Sequence, residues 1–300
     1  MHFRILPTLL LTASGGMAVC QAPPEMVHLY DRSTALVTAR DSVRMAQFVD
    51  SLCAAAKDRE GQVICDLFTA RWHRHNGRQL EAHRMFDSIS AHATGIHPYL
   101  EWLLHYQHAK LLNSMQLYEL ARNEALLARN AAMACKMPDE ALEMDLLLAE
   151  IDLDDGNYEQ ALSSFASLLE RSKASRHIEG ICRALIGIGN THYYQEQDQE
   201  ALKYYRKALE IAQAGQDQDL ILSAVFNIGA TLGYTEGPEK AIALNRSLLD
   251  TAGPSFHPRT KADLLTNTAS WYSDLGNDRQ ALSAIDEALH IYGTINDTVS

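Results

Sequence analysis

The side chains of this 300-residue chain best suited to chemistry are its thirteen histidines and five cysteines. His105 and His108 stand three apart, which puts two imidazoles on one helix face, a spacing that metal ligands can use. That face is also the one turned toward the next helix of the repeat described below, so the expectation is a hydrogen-bonded interior pair and no metal. His73 and His75 are two apart and point to different faces, and the neighbouring Arg71 and Arg74 disfavour a cation there. Cys53 and Cys65 lie equally far from a turn near Arg59 to Gly61, so two antiparallel helices bring them to one level. A disulfide and a pair of buried thiols packing like alanine both fit that placement. Cys135 and Cys182 fall in different hairpins and stay unassigned.

Catalytic and phosphate-binding signatures are missing. Gly187-Ile188-Gly189 is followed by Asn190 inside a helical pattern, whereas a dinucleotide fingerprint needs a strand-to-helix turn. The sequence has no HExxH pair and no GxSxG elbow. The expectation is a protein that is not an enzyme, with no catalytic residue, no metal and no cofactor. Charge narrows the classes further: 38 acidic against 26 basic side chains give a formal net charge of −12, the wrong sign for displacing counterions from nucleic acid. With 47% hydrophobic and 21% charged residues the composition is globular.

Residues 1–22 carry Arg4, the apolar stretch Ile5 to Thr12 and then small residues, the layout of a secretory signal peptide. Cleavage after Ala18 fits the small-x-small rule. Lipidation at Cys20 is the competing reading, although Val19 and Met17 hold places where a lipobox usually has a small residue and leucine. The expectation is an exported chain in the periplasm or at the cell surface, touching a membrane only through a lipid on Cys20 or a segment beyond Ser300.

The elements that position these residues follow from a repeat. Ala82, Ala121, Ala161, Ala201, Ala241 and Ala281 recur at 39 or 40 residues, and twelve residues before each stands Ala70, Ala109, Ala149, Gly189, Gly229 or Ala269. Chance would place small residues at all twelve sites with a probability on the order of 10⁻⁷, so the repeat is real. Turn signals at Gly77, Gly156-Asn157, Gly237-Pro238 and Gly276-Asn277 fall between the members of a pair, so each unit is predicted to be a helical hairpin whose small residues let two helices approach closely. Residues 61–300 then hold six hairpins, and residues 23–60 a further helix pair or N-terminal cap. The fold class is all-α.

Residues Ala184 to Tyr194 with Glu200 to Ala212 resemble a tetratricopeptide repeat of the long, forty-residue kind, and Gly156 to Phe165 and Gly276 to Leu289 resemble that family's second helix. Asp66, His105, Asp145 and Asn245 depart from its pattern. The resemblance implies a right-handed superhelical solenoid, each hairpin touching its neighbours, with first helices lining a concave groove. On that register the groove residues are Arg183, Ile186, Asn190, Tyr193 and Tyr194 in one unit and Phe226 and Tyr234 in the next. Asn190 suits a peptide backbone, and the aromatics offer contact area. The alternative is that the aromatics pack between hairpins. The resemblance implies a scaffold that binds a peptide or protein; the alternative is the sensor portion of a bacterial histidine kinase or transcription regulator whose output part lies elsewhere. The last helix, with Leu282, Ile285, Leu289 and Tyr292, lacks a polar cap, which predicts self-association, a docked partner or a longer protein.

Overall fold

The computed structural model describes residues 23–38, 42–92, 95–252 and 256–297, and the expected signal peptide, with Cys20, lies outside them. Among these residues the chain forms fourteen α-helices and no strand. They are α1 (Pro24–Thr38), α2 (Ser42–Ala55), α3 (Arg59–His75), α4 (Gln79–His92), α5 (Pro98–Ser114), α6 (Tyr118–Ala134) and α7 (Pro138–Asp154). There follow α8 (Tyr158–Ser175), α9 (Ile178–Tyr194), α10 (Asp198–Gly215), α11 (Gln218–Thr235), α12 (Pro238–Ala252), α13 (Pro258–Asp274) and α14 (Asp278–Asp297). Proline opens α1, α5, α7, α12 and α13, where its missing N–H has no helical partner to lose.

The starts and stops of these helices repeat as their cores do. Asp58, His97, His177, Asp217 and His257 are N-caps whose side chains accept a hydrogen bond from a first-turn amide. Three of the thirteen histidines are thereby helix caps, which removes them from any ligand set. Turns within hairpins pass through the left-handed backbone region at Gly77, Gln116, Gly156, Glu196, Gly237 and Gly276, spaced 39, 40, 40, 41 and 39. After five of the helices, an amide three residues beyond the end reaches back over the turn, as in Asn157 N to Asp152 O and Gln197 N to His192 O, both within 2.9 Å. Glu196 holds φ 60° without being glycine, which costs about 1 kcal/mol. Glu196→Gly should therefore raise stability by about 0.5–1 kcal/mol, less the entropy glycine adds to the unfolded chain. Urea unfolding of both proteins checks this, and a less stable variant contradicts it.

Eleven of the twelve repeating small residues are buried, and the exception, Ala281, sits on the last helix. The chain divides into two compact units, one comprising residues to Met115 with Asn123–Ala141, the other Gln116–Arg122 with Leu142–Ser300. In the first unit α2 packs on α3 through Phe48 and Phe68, whose rings meet edge to face at 5.7 Å. Cys53 of α2 and Cys65 of α3 are joined in a disulfide with Cα atoms 4.9 Å apart. Cys182 is a buried free thiol, pushed up to about 11 by burial and then by Asp217. In the second unit Ala161, Phe165, Ala201, Tyr205 and Ala208 interlock with Leu185 and Ile188 between α8, α9 and α10. Burying such a side chain contributes about 1.5–3 kcal/mol, so packing between hairpins holds these elements together.

Candidate functional site

In the second unit α9 packs on α11 and α11 on α13, while the second helices α10, α12 and α14 make no comparable contacts with one another among the described residues. A row of helices that lies closer together than its partner row sits on the inner side of a bend. The first helices thus line the inner face of this unit, and that face carries the groove residues.

Three of those residues are open to solvent: Tyr194 at 57%, Phe226 at 58% and Tyr234 at 80% exposure. Phe226 and Tyr234 are two turns apart on α11, roughly 12 Å along one face. Tyr193 is half-buried, its ring edge to face with Tyr194 at 6.0 Å, and burial, then Tyr234, Asp198 and Tyr194, push its hydroxyl up. These aromatics join α9 to α11. Asn190 is fixed from below: its Oδ1 accepts a hydrogen bond from the Tyr205 hydroxyl at 2.8 Å, while its Nδ2 has no acceptor among the described residues. That amide can donate to an incoming carbonyl.

Two predicted residues are committed elsewhere. Ile186 is only 8% exposed and belongs to the core between α8, α9 and α10, because its position turns it toward the neighbouring helices. Arg183 is bonded to Glu143 and lies 3.5 Å from Glu150 and 3.6 Å from Glu179, so three carboxylates already surround its charge and tie α9 to α7. The unpredicted member of the face is Trp271 on α13, half-buried against α11. A Cβ on Gly233 would stand 2.5 Å from the Trp271 ring, so only glycine there admits the indole. The signal for it was the second glycine, Gly233, one turn after Gly229.

In the first unit the histidines resolve into distinct roles. His105 Nδ1 meets Glu124 Oε2 at 2.6 Å. Burial raises the Glu124 carboxyl, but the His105 hydrogen bond and the nearby His108 ring outweigh it and hold it down at about 2. His108 is buried, stacked on Phe86 at 5.2 Å, with its Nε2 2.9 Å from His83 Nδ1. Burial, then Arg74, Arg71 and Lys110, push His75 down to about 4. The sequence did not reveal that Arg71 is buried. Its guanidinium donates to Ser33 Oγ and Thr34 Oγ1, each at 2.8 Å, lies 4.5 Å from the Tyr30 ring and faces no carboxylate among the described residues. Burial lowers its pKa.

An all-helical array of antiparallel hairpins with a short, repeating turn and an inner row of first helices defines a solenoid repeat protein. The tetratricopeptide repeat family matches residues 140–214 and again 180–253, so the chain contains tetratricopeptide repeats. Anaphase-promoting complex subunit 5 matches residues 249–300. No curated protein matches the sequence. Among solved structures, NprR in complex with its cognate peptide NprX is 18% identical, with a TM-score of 0.59 over 88% of this chain and 77% of that one. A Rap protein complexed with competence and sporulation factor is 14% identical, with a TM-score of 0.54 over 91% of this chain and 78% of that one. A signal transduction ATPase with numerous domains and a tetratricopeptide repeat sensor, from Pyrococcus horikoshii, is 15% identical, with a TM-score of 0.58 over 91% of this chain and 43% of that one. At these identities the likeness is one of fold. No helix among the described residues is long and apolar enough to cross a membrane.

Proposed function

We propose that this protein is an exported, non-catalytic scaffold that binds a peptide or a protein segment along the inner face of its second unit. The carrying observation is the set of three large aromatics, Tyr194, Phe226 and Tyr234, each more than half exposed on adjacent first helices. Side chains of that size are usually covered, and exposed aromatics on a rigid helical face supply contact area at small entropy cost. Asn190 adds an oriented amide donor between them. The Cys53–Cys65 disulfide supports export, since such bonds persist in oxidising compartments. The NprR structure holds its cognate peptide, and the Rap structure competence and sporulation factor, on a similar fold, which lends support to a peptide or protein segment as the ligand class.

A second reading is the sensor portion of a signalling protein, favoured by the likeness to the Pyrococcus horikoshii ATPase with its repeat sensor. It requires an output domain on the same or an associated chain. Self-association is a further property of the scaffold reading, because Leu282 and Leu289 of α14 are 64% and 60% exposed, on a side of the helix that its own core leaves uncovered.

Panning a displayed random-peptide library on the immobilised chain tests the site. Selected peptides should lose about tenfold in affinity with Phe226→Ala or Tyr234→Ala, with melting temperatures within about 2 °C of the parent. Tyr194→Ala should act likewise. Asn190→Ala is a poorer probe, because it also strips the Tyr205 hydroxyl of its acceptor. Peptides that bind all three aromatic variants as well as the parent would refute the groove.

A further inference from the structure

We propose that His83, Asp87 and His108 form a divalent transition-metal site, of the zinc class, that clips α4 to α5 in the first unit. One ligand atom from each of these three side chains lies within 4.8 Å of the others. His83 and Asp87 are four apart on α4 and so share one face of that helix, and His108 faces them from α5. His83 Nδ1 is 2.9 Å from His108 Nε2, and Asp87 Oδ1 is 3.8 Å from the same His108 nitrogen. Tetrahedral zinc with bonds of about 2.0–2.1 Å holds its ligands roughly 3.3 Å apart. The two separations to His108 lie within about half an ångström of that, and the Asp87 carboxylate, within 4.8 Å of the His83 ligand nitrogen and exposed, closes on the ion by a side-chain rotation.

The surroundings are those of a ligand set more than of a chance cluster. His108 is nearly inaccessible, with 3% of its side chain exposed, and its ring is fixed by stacking on Phe86. Its Nδ1 lies 3.5 Å from Glu124 Oε2 and makes no full hydrogen bond. Glu124 is in turn held by His105. A carboxylate behind Nδ1 keeps the hydrogen of the neutral ring there and leaves the Nε2 lone pair directed at His83, the arrangement that orients metal-binding histidines. Without a cation, the nitrogens of the buried His108 ring and the half-buried His83 ring share a single hydrogen across 2.9 Å. A metal ion satisfies both lone pairs at once. When it binds, His83 keeps its hydrogen on Nε2, so neither neutral imidazole releases a proton. Asp87 supplies the negative charge and, at 59% exposure, opens the site to solvent, which gives the ion a route in and leaves a fourth position for water. Two histidines with one carboxylate suit zinc, cobalt, nickel or copper and do not suit calcium or magnesium, which prefer oxygen ligands.

The test uses the full chain without a polyhistidine tag, stripped with chelator and titrated with Co²⁺ while the visible spectrum is recorded. The expected result is one equivalent of Co²⁺ with the strong visible bands of low-coordinate cobalt, displaced by one equivalent of Zn²⁺. His83→Gln should weaken Zn²⁺ binding by about 100-fold, Asp87→Asn by at least tenfold, and Glu124→Gln, which removes no ligand, by about tenfold. Asp87 is exposed, so Asp87→Asn tests the site even where a histidine variant folds poorly. Weak Co²⁺ absorption without saturation, or Zn²⁺ binding that is the same in Asp87→Asn as in the parent, overturns the proposal and assigns any bound metal to surface histidines.

Discussion

Phe165→Ala is expected to destabilise the second unit by about 4 kcal/mol, in the middle of the range for truncating a fully buried phenylalanine. Phe165 is 1% exposed and lies between α8 and α9 with its ring against Gly187, where an added Cβ would stand 2.4 Å from Cε1. Removing the ring therefore loses its own burial and leaves a void lined by the Gly187 backbone, which cannot reach across to fill it. The reciprocal change, Gly187→Ala, should cost about 2 kcal/mol by overpacking the same contact. Because one steric contact underlies both costs, Gly187→Ala combined with Phe165→Leu should cost less than the sum of the two single changes. Hydrogen exchange of α8 and α9 amides measures all three. Strictly additive costs would show that the ring and the glycine do not share a contact.

Loss of the Cys53–Cys65 bond is expected to cost about 3 kcal/mol, felt by α1 to α3 rather than by the whole chain. The bond spans a sequence separation of 12, and closing a loop of that length in the unfolded chain removes about that much entropy. Its effect is local because α2 reaches the rest of the first unit mainly through α3, beside Phe48, Phe68 and the bridge itself. Cys53→Ala with Cys65→Ala should increase exchange of α2 amides while leaving α9 to α11 unchanged, as expected for an array whose elements touch only near neighbours. Non-reduced peptide mapping of protein made in an oxidising compartment should show the two cysteines linked. Two free thiols there would remove both the bond and the stability assigned to it.

The groove was only partly legible from the chain. Tyr194, Phe226 and Tyr234 follow from helical spacing once the register is known, because residues separated by four or eight share a helix face. Ile186 sits on the same stretch of α9, and spacing alone placed it with them. The small angle that turns it into the core between α8, α9 and α10 depends on how the neighbouring helices cross. Arg183 was placed in the groove by its register, yet its three carboxylate neighbours come from α7 and α9, up to forty residues away. Trp271 was passed over because its partner, Gly233, lies on a different hairpin.

The sequence by itself determined the period, the hairpins and the places where they turn, since small residues at forty-residue spacing, prolines at helix starts and glycines at turns act through local sterics within a few residues. Gln116 and Glu196 adopt the same left-handed turn without glycine, and there the repeat carried information that the residue type did not. Tertiary structure alone decided which polar side chains meet. His83 and His108, Arg71 and Ser33, and Arg183 and Glu143 come together from separations of 25, 38 and 40 residues. Their interactions depend on ångström-scale distances in a medium of low dielectric constant, and helical periodicity fixes the face of a side chain without fixing what lies opposite it.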